Sequence, residues 1–468
     1  MVRFVLLALV LGATLLTAQQ QPRAVIDPIR TMEARYEVTR PWWDSARGAP
    51  LPPSKDYEDA SGQLRLLNKS GEVQTKDHPF FTPLGSNGRA CVTCHQPSAA
   101  MSLSLDLIRL RWVDTNGKDP VFNAIDGSDC PNLTQDKEES HSLLLERGLF
   151  RIALPWPPVT ESGKRLKPDF RIEVVRDPTG CNKNPASVSV YRRPRVAANL
   201  QYIAQPNDDA LMADGRERTL QSQAASASLT HEQAAGAPAR AQLQQIEDFE
   251  RQLFMAQQWD AYGGLLAEPG GPPLLGADNL ADGVAGAGVV PAGNLAALFD
   301  VWRNLSTSSG RNLAIRQRAF RESVLRGVDL FASREFRLSD GKQGTCATCH
   351  RPGINHAIDI GTTNLPDAQE SSRLPLFRIT CDTSARPHPQ LGRTFFSQDP
   401  GRALITGKCS DVGSIVMQQF RGLSARAPYF ANGSARDLSD LVDFFDRRFK
   451  IGLTVNEKKD LVNFLSIL

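Results

Sequence analysis

The chain contains two Cys-x-x-Cys-His motifs, Cys91-Val-Thr-Cys94-His95 and Cys346-Ala-Thr-Cys349-His350. A chain with 8 cysteines and 7 histidines in 468 residues would contain roughly 0.002 such motifs by chance. Two intervening residues place both sulfurs on one side of a single turn, and the adjacent imidazole can then reach an iron atom. We therefore predict two covalently bound haem c groups, each with the histidine of its motif as an iron ligand.

Two other uses of paired cysteines fit this sequence poorly. A thioredoxin-like redox site lies in a βαβ unit and has no histidine directly after its second cysteine. A zinc ribbon has its two cysteine pairs roughly 15–20 residues apart, whereas these two motifs begin 255 positions apart. Haem attachment is the function that both motifs fit.

The first eighteen residues have the layout of a secretory signal peptide. A positive start at Arg3 precedes an almost unbroken apolar run from Phe4 to Leu16, and a polar stretch begins at Gln19. The alternative is a membrane anchor, but the run is shorter than the roughly 20 apolar residues that a spanning helix needs. We predict that residues 1–18 are removed, that the mature protein has no membrane span, and that it is periplasmic or otherwise exported.

Four cysteines lie outside the two motifs: Cys130, Cys181, Cys381 and Cys409. An even number of such cysteines in an exported chain favours disulfides. Proximity in the sequence favours the pairs Cys130–Cys181 and Cys381–Cys409. The alternative is four unpaired buried thiols.

The charge balance gives no indication of a nucleic-acid partner. The chain has 54 basic and 51 acidic residues, a net charge of +3. No run of like charges points to nucleic acid or to an anionic membrane surface. Two haems would add up to four propionates, so the assembled protein would be less basic than its sequence.

Length and composition predict two domains. A chain of 468 residues is long for a single core. A stretch rich in glycine, alanine and proline at 263–294 is typical of a linker or surface loop, and we place the domain boundary there. We expect an N-terminal haem c domain over 19–262, with an irregular wrapping segment at its start, and a C-terminal cytochrome c domain over 295–468.

Helical periodicity is the dominant local pattern. Strand patterns are few and short, such as those at 170–175 and 187–191. We therefore predict a mainly α fold, made of two cytochrome c-like haem domains with long loops and few short strands. The predicted helices span 102–112, 141–149, 216–225, 240–258, 314–331, 437–448 and 456–468, the last with a capping box from Thr454 to Glu457.

Five segments share features with one known family: Gly85–His95, Asp214–Ala224, Leu325–Phe331, Phe420–Ser434 and Leu438–Phe445. They resemble the first haem segment, the Trp-Asp-Gly-Arg signature, the stretch that precedes the second haem and the closing segment of the bacterial di-haem cytochrome c peroxidase superfamily. That superfamily includes the di-haem enzyme that matures the tryptophan-derived cofactor of methylamine dehydrogenase, and the rubber oxygenases. The likeness extends from about residue 80 to the end of the chain and is interrupted near 263–294.

The resemblance implies two haems with different roles, one as the reaction centre and the other as an electron relay. This chain departs from the family at three positions. Ala213 stands where the family usually has a tryptophan between the haems, Ala431 where it has a histidine, and Phe445 where the second haem often takes a methionine or tyrosine ligand. Fold and cofactors therefore transfer better than peroxidase activity. Calcium is a further ion that we consider, but no motif supports it.

The sixth coordination positions decide between oxygen chemistry and electron transfer. His231 lies close to where the family places an acidic residue over its first haem, and is a candidate distal ligand or proton-transfer group; the alternative is a solvent-facing helical histidine. Met417 is a candidate axial ligand of the second haem, and the alternative is simple packing. His356 follows His350 by six residues and can reach either face.

We expect an exported di-haem redox protein of the peroxidase type, in which peroxide or O2 reacts at one haem. A small redox protein or another donor would supply electrons. The haem at Cys91 and Cys94 is expected to have the accessible sixth position, and the haem at Cys346 and Cys349 to be the six-coordinate relay. Two alternatives stay open: a pure electron-transfer cytochrome with both haems six-coordinate, and an oxygenase similar to rubber oxygenase.

Overall fold

The structure, a computed structural model, describes a single unit within Trp42–Leu468. The predicted signal peptide, 1–18, and His356 lie outside the described residues. The division into an N-terminal and a C-terminal haem domain stays a prediction. The described residues are 42–43, 48–160, 162–204, 211–283, 295–305, 313–338, 341–350 and 371–468.

Most predicted helices are present, with ends displaced by a few residues. The capping box of the last helix is confirmed, because the Thr454 hydroxyl accepts from the Glu457 N–H and the Glu457 carboxylate accepts from the Thr454 N–H. The described α-helices are α1 (Cys91–Cys94), α2 (Leu105–Thr115), α3 (Ser142–Arg147), α4 (Leu200–Ile203), α5 (Leu220–Thr230), α6 (Arg240–Gln252), α7 (Ala277–Ala281), α8 (Asp300–Leu305), α9 (Ile315–Ser333), α10 (Cys346–Cys349), α11 (Ala403–Thr406), α12 (Leu438–Phe449) and α13 (Val455–Ser466).

The described strands form four small antiparallel sheets. The strand orders are β1-β2-β6-β7, β11-β10-β4, β3-β5 and β8-β9. The strands are β1 (Ser54–Glu58), β2 (Gly62–Asn68), β3 (Phe150–Pro155), β4 (Phe170–Arg176), β5 (Ser187–Arg192), β6 (Leu253–Asp260), β7 (Gly264–Leu265), β8 (Phe336–Arg337), β9 (Gln343–Gly344), β10 (Leu376–Cys381) and β11 (Thr394–Ser397).

The predicted fold class is wrong. Helices make up 35% and strands 18% of the structure, so it is not a mainly α arrangement of two cytochrome c-like haem domains with few short strands. The strands at 170–176 and 187–192 are the ones whose strand pattern is visible in the sequence. The others pair with partners far away in the sequence: Leu64 of β2 lies opposite Gln257 of β6, and Glu173 of β4 opposite Arg378 of β10. A local pattern carries no information about such partners.

The single helix predicted over 240–258 is also wrong in its second half. Helix α6 ends at Gln252 and strand β6 follows directly. Residues 253–258 are all buried, and the first four are a continuous apolar run, so periodicity cannot distinguish helix from strand there. The pairing of β6 with β2 decides in favour of the strand.

Two apolar cores hold the two Cys-x-x-Cys-His motifs. Val92 of the first motif is buried in a core formed around β2, β6 and α6. Ala347 of the second motif is buried in a core formed mainly by α9, α12 and α13. Helices α9 and α13 cross closely at Gly327, where a Cβ atom would lie 2.1 Å from the Asp460 carbonyl oxygen. Only glycine allows this approach, which fixes the second core.

The two predicted disulfides are confirmed. Cys130 is bonded to Cys181, with their Cα atoms 5.5 Å apart, and Cys381 to Cys409, with 5.6 Å. The four motif cysteines form no disulfide. Among the described residues, no helix is long and apolar enough to cross a membrane.

Candidate functional site

Both Cys-x-x-Cys-His motifs fold into the same short structure. In α1 the Ala90 N–H donates to the Thr93 hydroxyl at 3.0 Å, and in α10 the Thr345 N–H donates to the Thr348 hydroxyl at 2.9 Å. The N–H of each motif histidine donates to the carbonyl of the first motif cysteine. The threonine in Cys-x-Thr-Cys thus closes the turn, which holds two sulfurs and one imidazole together.

The imidazole of His95 is oriented by a backbone carbonyl. Its Nδ1 lies 3.1 Å from the Met101 carbonyl oxygen and donates to it, so Nε2 is left as the lone-pair nitrogen. Burial lowers the pKa of His95, and the Met101 carbonyl opposes that effect only in part. A neutral imidazole with one nitrogen fixed by a carbonyl is the usual state of a metal-binding histidine.

The first motif opens onto a cleft. Cys91, Cys94 and His95 line it, and its empty space is about 1430 Å³, including the part that opens to solvent. Much of the wall is apolar, and it contains Phe150, Ile152, Leu211, Leu220 and Ile246.

The donor set at this cleft fits a covalently attached haem. Two sulfurs and an imidazole whose Nδ1 is bonded to the Met101 carbonyl lie on one wall, and apolar side chains are available to enclose a porphyrin. In contrast, no group of three or more His, Cys, Asp or Glu side chains in the described part of the chain is arranged to hold a bare metal ion.

His231 lies in the wall of this cleft as one member of a charged triad. Its Nδ1 is 2.5 Å from Asp126 Oδ2, and the other Asp126 oxygen is paired with Arg89. Asp126 and Arg89 are buried, whereas a third of the His231 side chain is exposed. Burial raises the pKa of Asp126, but Arg89 and His231 outweigh burial and hold that pKa below its usual range. The triad holds the Nδ1 atom of His231 and does not involve its Nε2 atom.

Two buried carboxyl groups in the cleft were not singled out from the sequence. Glu232 accepts from the Leu84 N–H at 2.9 Å through Oε2, and its Oε1 lies 3.5 Å from Cys91 Sγ. Burial raises the pKa of Glu232, although the Leu84 hydrogen bond opposes this. Burial, and then the nearby Glu247 carboxylate, raise the pKa of Glu250 to about 8. The signal for Glu250 was its spacing of four from Ile246, which puts it on the apolar face of α6.

The second motif is packed against aromatic rings. The His350 ring is stacked on Phe420 with centroids 4.8 Å apart, and Phe445 contacts it edge-on at 5.7 Å. Burial lowers the pKa of His350 to about 4, so the imidazole is neutral. Its Nδ1 is buried and has no hydrogen-bond partner in the described part of the chain. Phe445 therefore lies beside the second motif, as the resemblance implies.

The backbone of Met417 is bonded to a residue that lines the first cleft. Its carbonyl accepts from Arg195 Nη2 at 2.8 Å, and Arg195 lines the cleft together with Gln418 and Gln419. This contact of Met417 is with Arg195 and does not involve His350. Met417 as an axial ligand of a second haem thus stays a prediction, and so does the same role for His356.

Ala213, where the family has its bridging tryptophan, lines the first cleft. Two tryptophans elsewhere can be compared with that position. Trp302 is buried in the second core beneath the Arg321 guanidinium, 4.6 Å from its ring centroid. Trp259 lies on β6 and is 40% exposed. Neither lines the first cleft.

Comparison with known proteins gives partial, distant likenesses. Cytochrome-c peroxidase IdrP2 of Denitromonas iodatirespirans is 28% identical over 144 residues, which cover 28% of this chain and 38% of that protein. Cytochrome-c peroxidase IdrP1 of the same organism is 27% identical over 150 residues, 29% of this chain and 40% of that protein. IdrP1 of Pseudomonas sp. (strain SCT) is 28% identical over 157 residues, covering 30% and 40%.

These matches indicate a chain that is similar to cytochrome c peroxidases over part of its length. The chain spans about two fifths of the length of the curated relatives it matches. No family model matches the chain. The narrower likeness to rubber oxygenases and to the methylamine dehydrogenase maturation enzyme stays a prediction.

Proposed function

We propose that this protein is an exported di-haem c-type redox enzyme of the peroxidase type, with peroxide or O2 reacting at the first motif. One observation carries the proposal. Cys91, Cys94 and His95 open onto a cleft with two buried carboxyl groups and an imidazole in its wall, whereas the His350 ring packs against the rings of Phe420 and Phe445. The partial likeness to proteins named cytochrome-c peroxidase supports the same reaction class.

In this proposal each motif holds one haem c. Cys91 and Cys94 would form the thioether links of the first and His95 would bind its iron; Cys346, Cys349 and His350 would do the same for the second. When bound, haem c supplies an iron that exchanges single electrons and can bind a small oxygen ligand. The second motif would hold the haem that receives electrons from an external donor such as a small redox protein. Met417 and His356 are the proposed candidates for its sixth ligand.

The protons come from the chain's own side chains. Reduction of one peroxide molecule to two water molecules consumes two electrons and two protons. Glu232 is the first proposed proton donor, because burial raises its pKa and its Oε1 lies beside the first motif. Once Cys91 is linked as a thioether it has no proton to donate, so Oε1 is free to face the cleft. General acid–base catalysis of this kind contributes typically about 10²–10⁴-fold to a rate.

His231 has a positioning and proton-transfer role in this proposal. Asp126 holds its Nδ1, so the ring cannot rotate without breaking a 2.5 Å contact to a buried carboxylate. The other ring nitrogen, Nε2, can then exchange protons with water at the cleft mouth, where His231 is a third exposed. Through His231, Glu232 regains from solvent the proton that it has donated.

The decisive experiment uses the purified full-length protein. A pyridine haemochrome assay is expected to give two haems per chain, and electron paramagnetic resonance of the ferric protein one high-spin signal. Peroxide-dependent oxidation of a reduced small cytochrome c is then expected. Two low-spin signals without cyanide binding would instead indicate a pure electron carrier. O2 consumption without peroxide turnover would indicate an oxygenase similar to rubber oxygenase.

A further inference from the structure

The buried arginines of this protein fall into two groups. Those of the first group each have a carboxylate partner: Arg89 with Asp126, Arg111 with Asp119, Arg192 with Asp214 and Asp399, and Arg321 with Glu268. Those of the second group form no salt bridge within the described residues: the buried Arg151, Arg193, Arg421 and Arg426, and the half-buried Arg195. Arg151 bonds to the Ser189 hydroxyl and the Ile125 carbonyl. We call the other four, Arg193, Arg195, Arg421 and Arg426, the arginine cluster.

Two members of the arginine cluster line the first cleft. Arg193 donates from Nη2 to the carbonyls of Leu103, at 2.5 Å, and Arg426, at 2.9 Å. Arg195 donates to the carbonyls of Val416, at 2.7 Å, and Met417. Both side chains are in the cleft wall with Cys91, Cys94 and His95. Two cluster members thus belong to the segment 193–197 that forms this part of the cleft wall.

The other two members continue away from the cleft. Arg426 donates from Nη2 to the Gln419 carbonyl at 2.5 Å and from Nε to the Arg421 carbonyl at 3.2 Å. Arg421 is fully buried and donates from Nη1 to the Leu274 carbonyl at 2.7 Å. Its Nε and Nη2 are buried and have no partner in the described structure.

Arg421 belongs to the surroundings of the second motif. Leu274 is buried in the same apolar core as Ala347 of that motif. Phe420, the residue before Arg421, stacks on His350. The cluster thus extends from the wall of the first cleft to the core that holds the second motif.

Carbonyl groups satisfy the hydrogen-bond donors of these arginines but do not neutralise their charge. A buried cation without a counter-ion costs several kcal/mol in most proteins. Burial lowers the pKa of Arg193 and Arg421 to about 9, and the pKa of Arg195 and Arg426 to about 10. The charge of Arg426 lowers the pKa of Arg193 and Arg195 further, so the cluster is also self-repelling. No carboxylate of the described residues forms an ion pair with these four arginines, and two donors of Arg421 have no partner there.

We propose that the arginine cluster binds the carboxylates of the two haems. Arg193 and Arg195 take propionates of the group at Cys91 and Cys94, and the free Nε and Nη2 donors of Arg421 take a propionate of the group at Cys346 and Cys349. A guanidinium matches a carboxylate with two parallel hydrogen bonds, which these free donors can provide. This inference rests on the proposed function, because it takes both haems as given.

The test uses the assembled protein and three glutamine variants. Arg195→Gln and Arg421→Gln each remove one charge of the cluster, while Arg321→Gln is the matched control, a buried arginine that already has Glu268 as its partner. Midpoint potentials of both haems are measured by spectroelectrochemical titration. Propionate bending bands are followed by resonance Raman spectroscopy, and haem content by pyridine haemochrome.

A nearby positive charge favours the reduced haem, so its removal shifts the potential to more negative values. Arg195→Gln is expected to lower the potential of the first haem, and Arg421→Gln that of the second, each with a shifted propionate band. Arg321→Gln is expected to change neither. If a glutamine variant does not fold, the lysine variant of the same position replaces it. Lysine keeps the positive charge but does not form two parallel hydrogen bonds with a carboxylate. In the lysine variant the propionate Raman band is therefore expected to shift, while the midpoint potential stays close to the wild-type value.

The two proposals fail in different ways. Unchanged potentials and Raman bands in Arg195→Gln and Arg421→Gln, with two haems bound, would overturn the role of the arginine cluster and leave the proposed function intact. A wild-type protein with two haems but without peroxide turnover would overturn the enzymatic function and leave the arginine assignment to be decided by the same spectra. Band shifts that follow added phosphate rather than the substitutions would show that a free anion occupies the cluster, and would also overturn the assignment.

Discussion

The amide N–H of Val416 donates a hydrogen bond to the carbonyl oxygen of Ala213, with 2.9 Å between nitrogen and oxygen. Ala213 is the position at which the resembling family has its bridging tryptophan. From Val416 the chain runs four residues to Phe420, whose ring stacks on His350. One path between the two motifs therefore consists of a hydrogen bond and backbone, with an aromatic ring only at its second-motif end.

Electron exchange between the two haems is therefore expected to be slow, and Ala213→Trp is expected to accelerate it. Ala213 lines the first cleft, so space is available for a larger side chain. The measurement is the rate of equilibration after rapid photoreduction of one haem. Ala213→Leu is the control, since it fills space without an aromatic ring. Fast exchange in the wild type would show that another route, through Trp259 or Trp302, has replaced the tryptophan.

Substitution of Glu232 is expected to reduce peroxide turnover strongly. Glu232→Gln keeps the size and the Leu84 hydrogen bond but removes the transferable proton, so a loss of about 10²–10⁴-fold in kcat is expected. Glu139→Gln, at an exposed position away from the cleft, is the control. Haem content and spectra are expected to stay unchanged in both variants. Turnover within a factor of two of the wild type would exclude Glu232 as the proton donor.

The pH dependence of stability is expected to carry the signature of Glu250. Its pKa is about 8 in the folded protein and about 4.3 in an unfolded chain. The folded state therefore keeps a proton that the unfolded state loses, and the free energy of unfolding falls as the pH rises from about 4.3 to 8. Glu250→Gln stays neutral, so it is expected to be more stable than the wild type at pH 9, by up to a few kcal/mol, and equal below pH 4.

Urea unfolding of the haem-loaded protein at pH 4, 7 and 9 is the measurement for Glu250. Glu247→Gln is the informative control, because Glu247 is the neighbouring carboxylate that raises the pKa of Glu250. Its removal is expected to give a smaller gain at pH 9 than Glu250→Gln. A wild-type free energy that does not fall between pH 5 and pH 8 would contradict a proton held at Glu250.

The two disulfides are expected to stabilise the fold measurably. They close segments of 51 and 28 residues, and a disulfide of this loop size contributes about 2–4 kcal/mol. The double variant Cys130→Ala with Cys181→Ala is expected to lose this amount in chemical unfolding while its haem content is retained. Non-reducing peptide mapping identifies the pairs directly. Alkylation of all four cysteines without a reductant would disprove both bonds.

Helices and disulfides were predictable because their signals are local or simply counted. The capping box at Thr454 and the even number of cysteines outside the motifs needed no knowledge of distant partners. The sheets failed because strand β2 becomes a strand by pairing with β6, almost two hundred residues later in the chain. The run Leu253–Gln258 was assigned to a helix for the same reason.

The residues of the candidate site also differ in whether the sequence alone points to them. The two motifs fix the position of six residues by spacing alone, and His231 was found by its offset within a familiar segment. Glu232, Glu250 and Arg421 were missed because their chemistry depends on burial, which a sequence pattern does not report. The sequence alone does not distinguish a glutamate on an exposed helix face from a buried glutamate next to the first motif.

The last prediction concerns which haem binds exogenous ligands. Carbon monoxide and cyanide are expected to bind the wild-type protein at the first haem, because its motif opens onto the cleft while Phe420 and Phe445 pack against His350. In His350→Gly this binding is expected to persist with nearly unchanged spectra and affinity. In His95→Gly it is expected to be lost or strongly altered, since the axial ligand opposite the binding position is removed. Ligand binding that survives in His95→Gly and vanishes in His350→Gly would reverse the two roles, and a wild type that binds neither ligand would make the protein an electron carrier.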